Sequence, residues 1–333
     1  MQSAIPIVFD TDIGTDIDDA LALLLALASS EVRVIGVTTV DGDVDLRARI
    51  AARILGYAGR SDIPVFRGRR EPIGPGRMPT MLGHEGCGVF VGSYKGPEAP
   101  VRDMPAEEWL VEASRDEPFH LVAVGPYTNI AAALELDPTF AERVLKLTVM
   151  GGMVRGESYP RSWRAHLLRK GIDFAHPDHN TASDPQAALI LARSGIPMTW
   201  VTINMTLGVP LRKQSLERLR SVKNPLSGVI VRMLEIWRDQ WFHLFEASRP
   251  DQMPFSEDTV AFLHDPLALS SLFPIDWLKL QSMRLKFCVE DPYFRIQEVE
   301  EDEDAFHEVS VAVRAAEFEA FFLGRLLNLL YHV

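Results

Sequence analysis

Cysteine is nearly absent from this chain: Cys87 and Cys288 are its only two, far apart and without a metal-type spacing. A disulfide framework is therefore not expected, and a reducing compartment such as the cytoplasm is. Long apolar runs are missing as well. The longest, Ala20–Ala28, is too short to cross a bilayer. The opening MQSAIPIVFD lacks the basic region and apolar stretch of a secretory signal, so none is expected. Basic residues are in deficit, with 34 Lys and Arg against 46 Asp and Glu, a net charge of −12. That balance argues against nucleic acid or an anionic membrane as a partner. It leaves room for a small neutral ligand, or for a cation held in a local acidic pocket.

Internal repeats and low-complexity linkers are also lacking; strands and helices alternate instead. Ile5–Phe9, Val32–Val37, Ile63–Phe66, His120–Val124, Leu145–Met150 and Met198–Val201 read as strands. Ala20–Ala28, Leu46–Leu55, Asn129–Leu136 and Ala187–Ala192 read as helices between them. This order implies parallel crossovers and an α/β fold with an open, mostly parallel sheet flanked by helices. Ligands in such sheets sit beyond the carboxyl ends of the strands. Two stretches, Gly68–Pro105 and Val154–Pro185, read as long irregular loops. Leu226–Ala247 reads as a long helix carrying Trp237 and Trp241. From Met283 to Val333 the pattern is strands around an acidic hairpin tip, Glu298–Asp304, and then a closing helix.

The most informative segment is Asp10-Thr-Asp12-Ile-Gly-Thr-Asp16-Ile-Asp18-Asp19, five carboxylates in ten residues between an apolar strand and an apolar helix. Asp10 and Asp12 are two apart and point to one side of extended chain. Asp18 and Asp19 fall at a helix start, where the dipole favours negative charge. Capping and a turn account for one or two of these residues, not for five. So much like charge in a buried turn is costly unless a cation neutralises it, and oxygen donors alone favour Ca²⁺ or Mg²⁺. Far downstream, His264-Asp265-Pro266 also stands at a strand-to-helix junction.

These pieces together resemble the inosine–uridine-preferring nucleoside hydrolase family. The N-terminal cluster is similar to its Asp-x-Asp-Pro-Gly-x-Asp-Asp signature, with Ile13 for Pro and two extra residues before Asp18-Asp19. Gly125-Pro126-Tyr127-Thr128-Asn129 is similar to its Gly-Pro-Leu-Thr-Asn turn, and Val149-Met150-Gly151-Gly152 to its Met-Gly-Gly strand end. Asp178-His179-Asn180 with Asp184-Pro185 resembles its Glu-x-Asn…Asp-Pro segment, and His264-Asp265-Pro266 closes the series. The resemblance implies a single domain over 1–333 and an enzyme that splits a ribonucleoside into base and ribose.

It also implies a Ca²⁺ ion on Asp12, Asp19, Asp265 and the carbonyl of Thr128, with Asp12 as base for the metal-bound water. Attack would fall on an anomeric carbon of oxocarbenium character. Asp18, Asp178 and Asn180 would hold ribose hydroxyls beside Met150. His264 would assist the leaving base, with His84, Trp237 and Trp241 around it. A homodimer or homotetramer is implied as well. Departures from the pattern are Asp16, the two-residue expansion, Asp178 for Glu, and Asp43 where the family has Asn beside the ribose. Ser158 is the residue whose spacing suits a 5′-hydroxyl contact.

Two rival readings use the same residues. The Asp10-Thr-Asp12 opening also looks like that of haloacid-dehalogenase-type phosphatases, with Asp10 as phosphoryl acceptor, Asp12 as acid/base and Mg²⁺ as the ion. A non-catalytic nucleoside or ribose binder on the same scaffold is the second.

Overall fold

The computed structural model describes residues 4–75, 81–92, 94–155, 159–170, 178–244, 253–274, 276–290, 293–300 and 306–333. The chain alternates as its hydrophobic pattern requires. β1 (Ile5–Thr11) leads to α1 (Asp18–Leu27), β2 (Val32–Thr39) to α2 (Val44–Tyr57), and β3 (Val65–Arg67) through a long loop to β4 (Val101–Arg102) and α3 (Ala106–Asp116). Next come β5 (Phe119–Ala123), α4 (Thr128–Leu136), α5 (Phe140–Arg143), β6 (Val144–Met150), α6 (Arg161–Lys170), α7 (His179–Ser183), α8 (Pro185–Ala192) and β7 (Met198–Val201). A third stretch holds α9 (Ile203–Thr206), β8 (Pro210–Arg212), α10 (Lys213–Ser221), α11 (Pro225–Leu244), β9 (Thr259–Phe262) and α12 (His264–Ser270). The chain closes with β10 (Leu278–Glu290), β11 (Tyr293–Glu298), β12 (Phe306–Val313) and α13 (Ala315–His332).

Ten strands form one sheet in the order β11-β10-β12-β7-β6-β5-β1-β2-β3-β4. Every pairing from β12 to β4 is parallel, and only β10 pairs antiparallel, with β11 and β12. β8 and β9 make a separate antiparallel pair. β1 is central and buried on both faces. Its Ile7 and Phe9 enter one core with residues of α1, α2, α11, α12 and α13, while Val8 enters the other with α3, α4 and α8. α1, with the sequence DDALALLLAL, is apolar around its circumference after the first turn, so it lies inside the protein rather than on it.

The chain winds outward from β1 through β2, β3 and β4, then returns to place β5 on the other side of β1. The strand order reverses between β1 and β5, and that opens a crevice at their carboxyl ends. Gly125, just past β5, borders it so closely that a Cβ there would lie 2.7 Å from the backbone nitrogen of Asp12.

Two sequence expectations change, and one bound is untested. The acidic stretch Glu298–Asp304 is not a hairpin tip: β10 lies between β11 and β12, so this connection passes from one side of β10 to the other. The hairpin is β10–β11; residues 301–305 lie outside the described set. The stretch from Val154 to Pro185 contains α6 and α7. The long helix is described to Leu244, so Ala247 lies outside the described residues.

Trp200 of β7 ties the parallel sheet to the antiparallel strands. It is fully buried and stacks on Phe287 and Phe294, with centroids 5.7 and 5.9 Å away. Trp200→Ala is expected to cost about 3–5 kcal/mol in denaturant unfolding. A loss below about 1 kcal/mol, the range of a surface change, would contradict this role.

Candidate active site

The acidic segments that supply the site leave the ends of β1 and β9, whereas Asp178–Asn180 sit at α7 and Trp237 on α11. β1 ends at Thr11, and the turn from Asp12 to Ile17 carries the chain into α1. Thr11 Oγ1 donates to Asp19 and accepts from the Ile13 N–H at 3.1 Å, tying the strand end to the helix start. From α2 the fully buried Arg47 reaches under the turn. It donates to the carbonyls of Asp12 and of Ile13 (3.2 Å), and to the carbonyl of Asp41 at 2.7 Å. Its guanidinium also lies 3.4 Å from the Asp41 carboxylate. After β5, Thr128 begins α4, and its hydroxyl donates to the buried Asp184 at 2.8 Å; the same carboxylate oxygen accepts the Ile73 N–H at 2.8 Å.

These elements surround one cavity. Its polar side holds Asp12, Asp16, Asp18, Asp19 and Asp265, with Asp178, His179, Asn180 and His264. Thr15, Val124 and Met150 lie among them, and the remaining wall is apolar, with Leu82, Ile203, Trp237 and Leu244. Asp18, Asp19 and Asp265 each place a carboxylate oxygen within 4.8 Å of the others, and all three are buried. Asp12 stands in a neighbouring group with Asp41 and His179 at the same mutual distance, as does Asp16 with Asp18 and a ring nitrogen of His264.

Burial is the dominant electrostatic influence. It pushes the carboxyls of Asp16, Asp18, Asp19 and Asp265 well above the usual range, and mutual repulsion adds to it. Burial also raises Asp41 to about 6 and Asp10 to about 7, against hydrogen bonds that lower each. Asp12 is the exception. Burial would raise it too, but His179 beside it and the Arg47 charge hold it below the usual carboxylate range. Among the described residues, no Lys or Arg forms an ion pair with Asp18, Asp19 or Asp265. A close group of buried oxygens without cationic partners is the donor set of a hard divalent ion.

Asp178, Asn180 and His264 are fixed by bonds that also determine what they can offer. Asp178 caps α7 and accepts from the N–H groups of Gly152 and Thr181, at 2.7 and 3.1 Å, and from the Thr181 hydroxyl at 2.7 Å. Asn180 donates its amide hydrogens to the carbonyls of Val124 and Met150 at 2.7 and 3.0 Å, which leaves its amide oxygen as an acceptor. His264 places Nδ1 2.7 Å from the Thr206 hydroxyl, which itself donates to the Ile203 carbonyl at 3.2 Å. The hydroxyl therefore accepts from Nδ1–H, and Nε2 carries the lone pair. Burial pushes this imidazole down to about 4.

Asp12, Asp18, Asp19, Met150, Asp178, Asn180, Trp237, His264 and Asp265 thus line one cavity, as read from the sequence. Four do not, the first being Thr128, which is buried at the start of α4 with its hydroxyl on Asp184. Asp43 is half exposed and caps α2 by accepting the Leu46 N–H at 3.1 Å, outside the cavity lining; Asp41, two residues earlier, is buried beside Asp12 and His179 but does not line the cavity either. Trp241 is buried against Phe255 and Phe262 and belongs to the aromatic packing behind the wall. His84 lies beside the cavity rather than in it, with Nε2 2.8 Å from the Thr15 carbonyl and its ring 6.0 Å from that of Trp237. Ser158 lies outside the described residues.

Arg47, Asp41, His179 and Asp16 were given no role by the sequence. One signal for Arg47 was readable: it is a charge on the apolar stripe Val44–Ala48–Ala51–Ile54–Leu55 of α2. Asp10 cannot serve as a phosphoryl acceptor. It is fully buried within β1, where Oδ1 accepts from the Thr38 hydroxyl at 2.5 Å and the Asn129 amide at 2.7 Å.

Comparison with known proteins follows the same lines. The family described as inosine-uridine preferring nucleoside hydrolase matches residues 7–321. A probable uridine nucleosidase 2 of Arabidopsis thaliana is 31% identical over 280 residues, covering 80% of this chain and 77% of its own. A pyrimidine-specific ribonucleoside hydrolase, RihA, of Citrobacter koseri is 30% identical over 274 residues, covering 81% and 79%. Among solved structures, a purine-preferring ribonucleoside hydrolase from Gardnerella vaginalis superposes with a TM-score of 0.78 at 24% identity, over 98% of this chain and 100% of that one. The plant nucleoside hydrolase PpNRh1 gives a TM-score of 0.77 at 23% identity, over 97% and 98%. These two structures match the fold.

The raised carboxyls set a pH dependence. A carboxyl whose folded-state pKa lies above its unfolded value binds more protons when folded, so its contribution to stability is lost as pH rises through the folded value. For Asp16 that loss begins near the unfolded value of 3.8. In chelator at pH 7, Asp16→Asn is expected to raise Tm above wild type, and the gain to vanish by pH 4. An equal or lower Tm at pH 7 would contradict the electrostatic account.

Proposed function

Since the chain belongs to the inosine-uridine preferring nucleoside hydrolase family, it is an N-ribohydrolase that splits ribonucleosides into base and ribose, and we propose that it does so with Ca²⁺ in the carboxylate cluster. The observation that carries the proposal is the buried Asp18, Asp19 and Asp265 oxygens, within 4.8 Å of one another, in the cavity that Asp12, Asp178 and Asn180 also line. Asp12, Asp19, Asp265 and the Thr128 carbonyl would hold the ion, and the position of Asp18 suits it to both the ion and a sugar hydroxyl. When bound, the ion neutralises the cluster and makes water easier to deprotonate.

Asp12 is the base in this reading. Its depressed pKa keeps it ionised at neutral pH, and its place at the end of β1 directs it into the cavity. Asp18, Asp178 and the Asn180 amide oxygen are acceptors, suited to ribose hydroxyls that donate. A site built around those hydroxyls rejects a sugar that lacks one. Trp237, with Leu82, Ile203 and Leu244, forms the wall against which the base lies. His264 stands at the leaving-group end, but burial keeps it neutral near pH 7. There it orients the departing base through Nε2, and protonation to act as an acid opposes its surroundings.

The sequence relatives are named for uridine and pyrimidine ribonucleosides, so pyrimidine ribosides are the first substrates to assay. We further propose one domain over 1–333, a homodimer or homotetramer, and a cytoplasmic location, with no nucleic acid or membrane as partner. Cys87 and Cys288 are unbonded. No described helix is long and apolar enough to cross a membrane.

A reducing-sugar assay across purine and pyrimidine ribosides, with and without chelator, tests the mechanism. Turnover is expected to stop when Ca²⁺ is removed and to return on its addition. Asp12→Asn is expected to lower kcat by about 10²–10⁴-fold while ribose still binds. Turnover that survives thorough Ca²⁺ removal would overturn the mechanism.

A further inference from the structure

His179 lines the cavity between Asp178 and Asn180, and its Nε2 lies 3.5 Å from Asp12 Oδ2 and 3.9 Å from Asp41 Oδ2. With the Ser183 hydroxyl 3.4 Å away, this nitrogen thus stands beside two carboxylates. One of them is the base of the reaction, and the other does not line the cavity. Asp41 is itself tightly placed. It is buried, and its φ of +69° makes it one of only two non-glycine residues in the left-handed region among those described. Asp tolerates that conformation better than most residues, but it persists only where the surroundings fix it. Here they do. The Asp41 N–H donates to the Arg69 carbonyl at 2.8 Å, its own carbonyl accepts from Arg47 Nε at 2.7 Å, and its carboxylate lies 3.4 Å from Arg47 Nη2.

Arg47 closes the arrangement from below. The guanidinium that holds Asp41 also holds the carbonyl of Asp12 and that of Ile13, 3.2 Å away. Asp12 is thus gripped twice, by Arg47 at its backbone and from the cavity side by His179 at its carboxylate. We propose that His179, backed by Asp41 and Arg47, is a positioning residue that fixes the direction of the Asp12 carboxylate toward ion and water.

The rival for these atoms is a second cation bound by Asp12, Asp41 and His179, whose donor atoms lie within 4.8 Å of one another. Arg47 weighs against it. A permanent positive charge 3.4 Å from the Asp41 oxygen already fills the cation's role there and would repel an ion. A donor that orients a ligating carboxylate is instead the common outer partner of a metal site, and its loss weakens affinity or activity by about 10- to 100-fold. In its Nε2–H form a neutral imidazole suffices for this.

The proposal rests on the reading of Asp12 as base and ligand, and its test separates the two. His179→Phe keeps a flat ring and removes the donor; His179→Gln keeps an N–H of similar reach; Asp41→Asn keeps a residue that tolerates positive φ and removes the charge. Calorimetric titration with CaCl₂ and kcat for a ribonucleoside are measured for each, with Tm in chelator as the control for folding. His179→Phe and Asp41→Asn are expected to weaken Ca²⁺ and lower kcat by about 10- to 100-fold, with Tm near wild type. His179→Gln is expected to recover most of both. Wild-type Ca²⁺ affinity and kcat in His179→Phe would overturn the proposal. So would two ions in the wild type and one in His179→Phe, which would make the group an ion site. If the wild type binds no Ca²⁺, the Ca²⁺ reading fails by itself, and the kcat comparison of Phe with Gln still decides whether His179 positions Asp12.

Discussion

The constraint on which this site depends is the burial of like charges at the crevice between β1 and β5. Asp16, Asp18, Asp19 and Asp265 share a space too small and too dry for all of them to ionise unaided. Much of the local structure answers that constraint. Thr11 bonds Asp19, and α1 and α12 both begin at the cluster, turning free N–H groups and positive dipole ends toward it. Among the described residues, Arg47 supplies the fixed positive charge beneath the turn, and it pairs with Asp41 instead of with Asp18, Asp19 or Asp265. What remains uncompensated is the charge that a divalent ion would neutralise.

The cavity divides its work by chemistry. One side presents mostly acceptors: carboxylates, and an Asn180 whose amide hydrogens are taken by backbone carbonyls. That surface suits a polyol whose hydroxyls donate. The opposite wall is apolar, with Trp237 the largest ring facing it. Such a wall offers contact to a flat ring and few hydrogen-bonding groups.

The sheet and most of the site were legible in the sequence because their signals are local. Apolar strands followed by apolar helices mark a parallel sheet, and the carboxylate cluster falls just after one of its strands; Met150 and His264 were named from the family resemblance, and they line the same cavity as Asp12. The misses arose where the outcome depended on long-range packing. Asp43 was named because it stands where the family has Asn, yet its side chain caps α2 at the surface, while Asp41 is buried beside Asp12. Trp237 and Trp241 share a helix face by spacing, yet one reaches the cavity and the other fills the aromatic cluster behind it. The acidic stretch after β11 looked like a hairpin because nothing local tells that β10 lies between its two neighbours. Arg47 and His179 gain meaning only when α2 and α7 meet the turn after β1.

Proton release on ion binding tests the central claim most directly. Calorimetric titration of the metal-free protein with CaCl₂ at pH 7, in two buffers of different ionisation enthalpy, counts the protons displaced. If burial holds the cluster partly protonated until a cation arrives, each bound ion should expel about one proton or more. Ca²⁺ binding with no proton release, or no binding at all, would contradict the account.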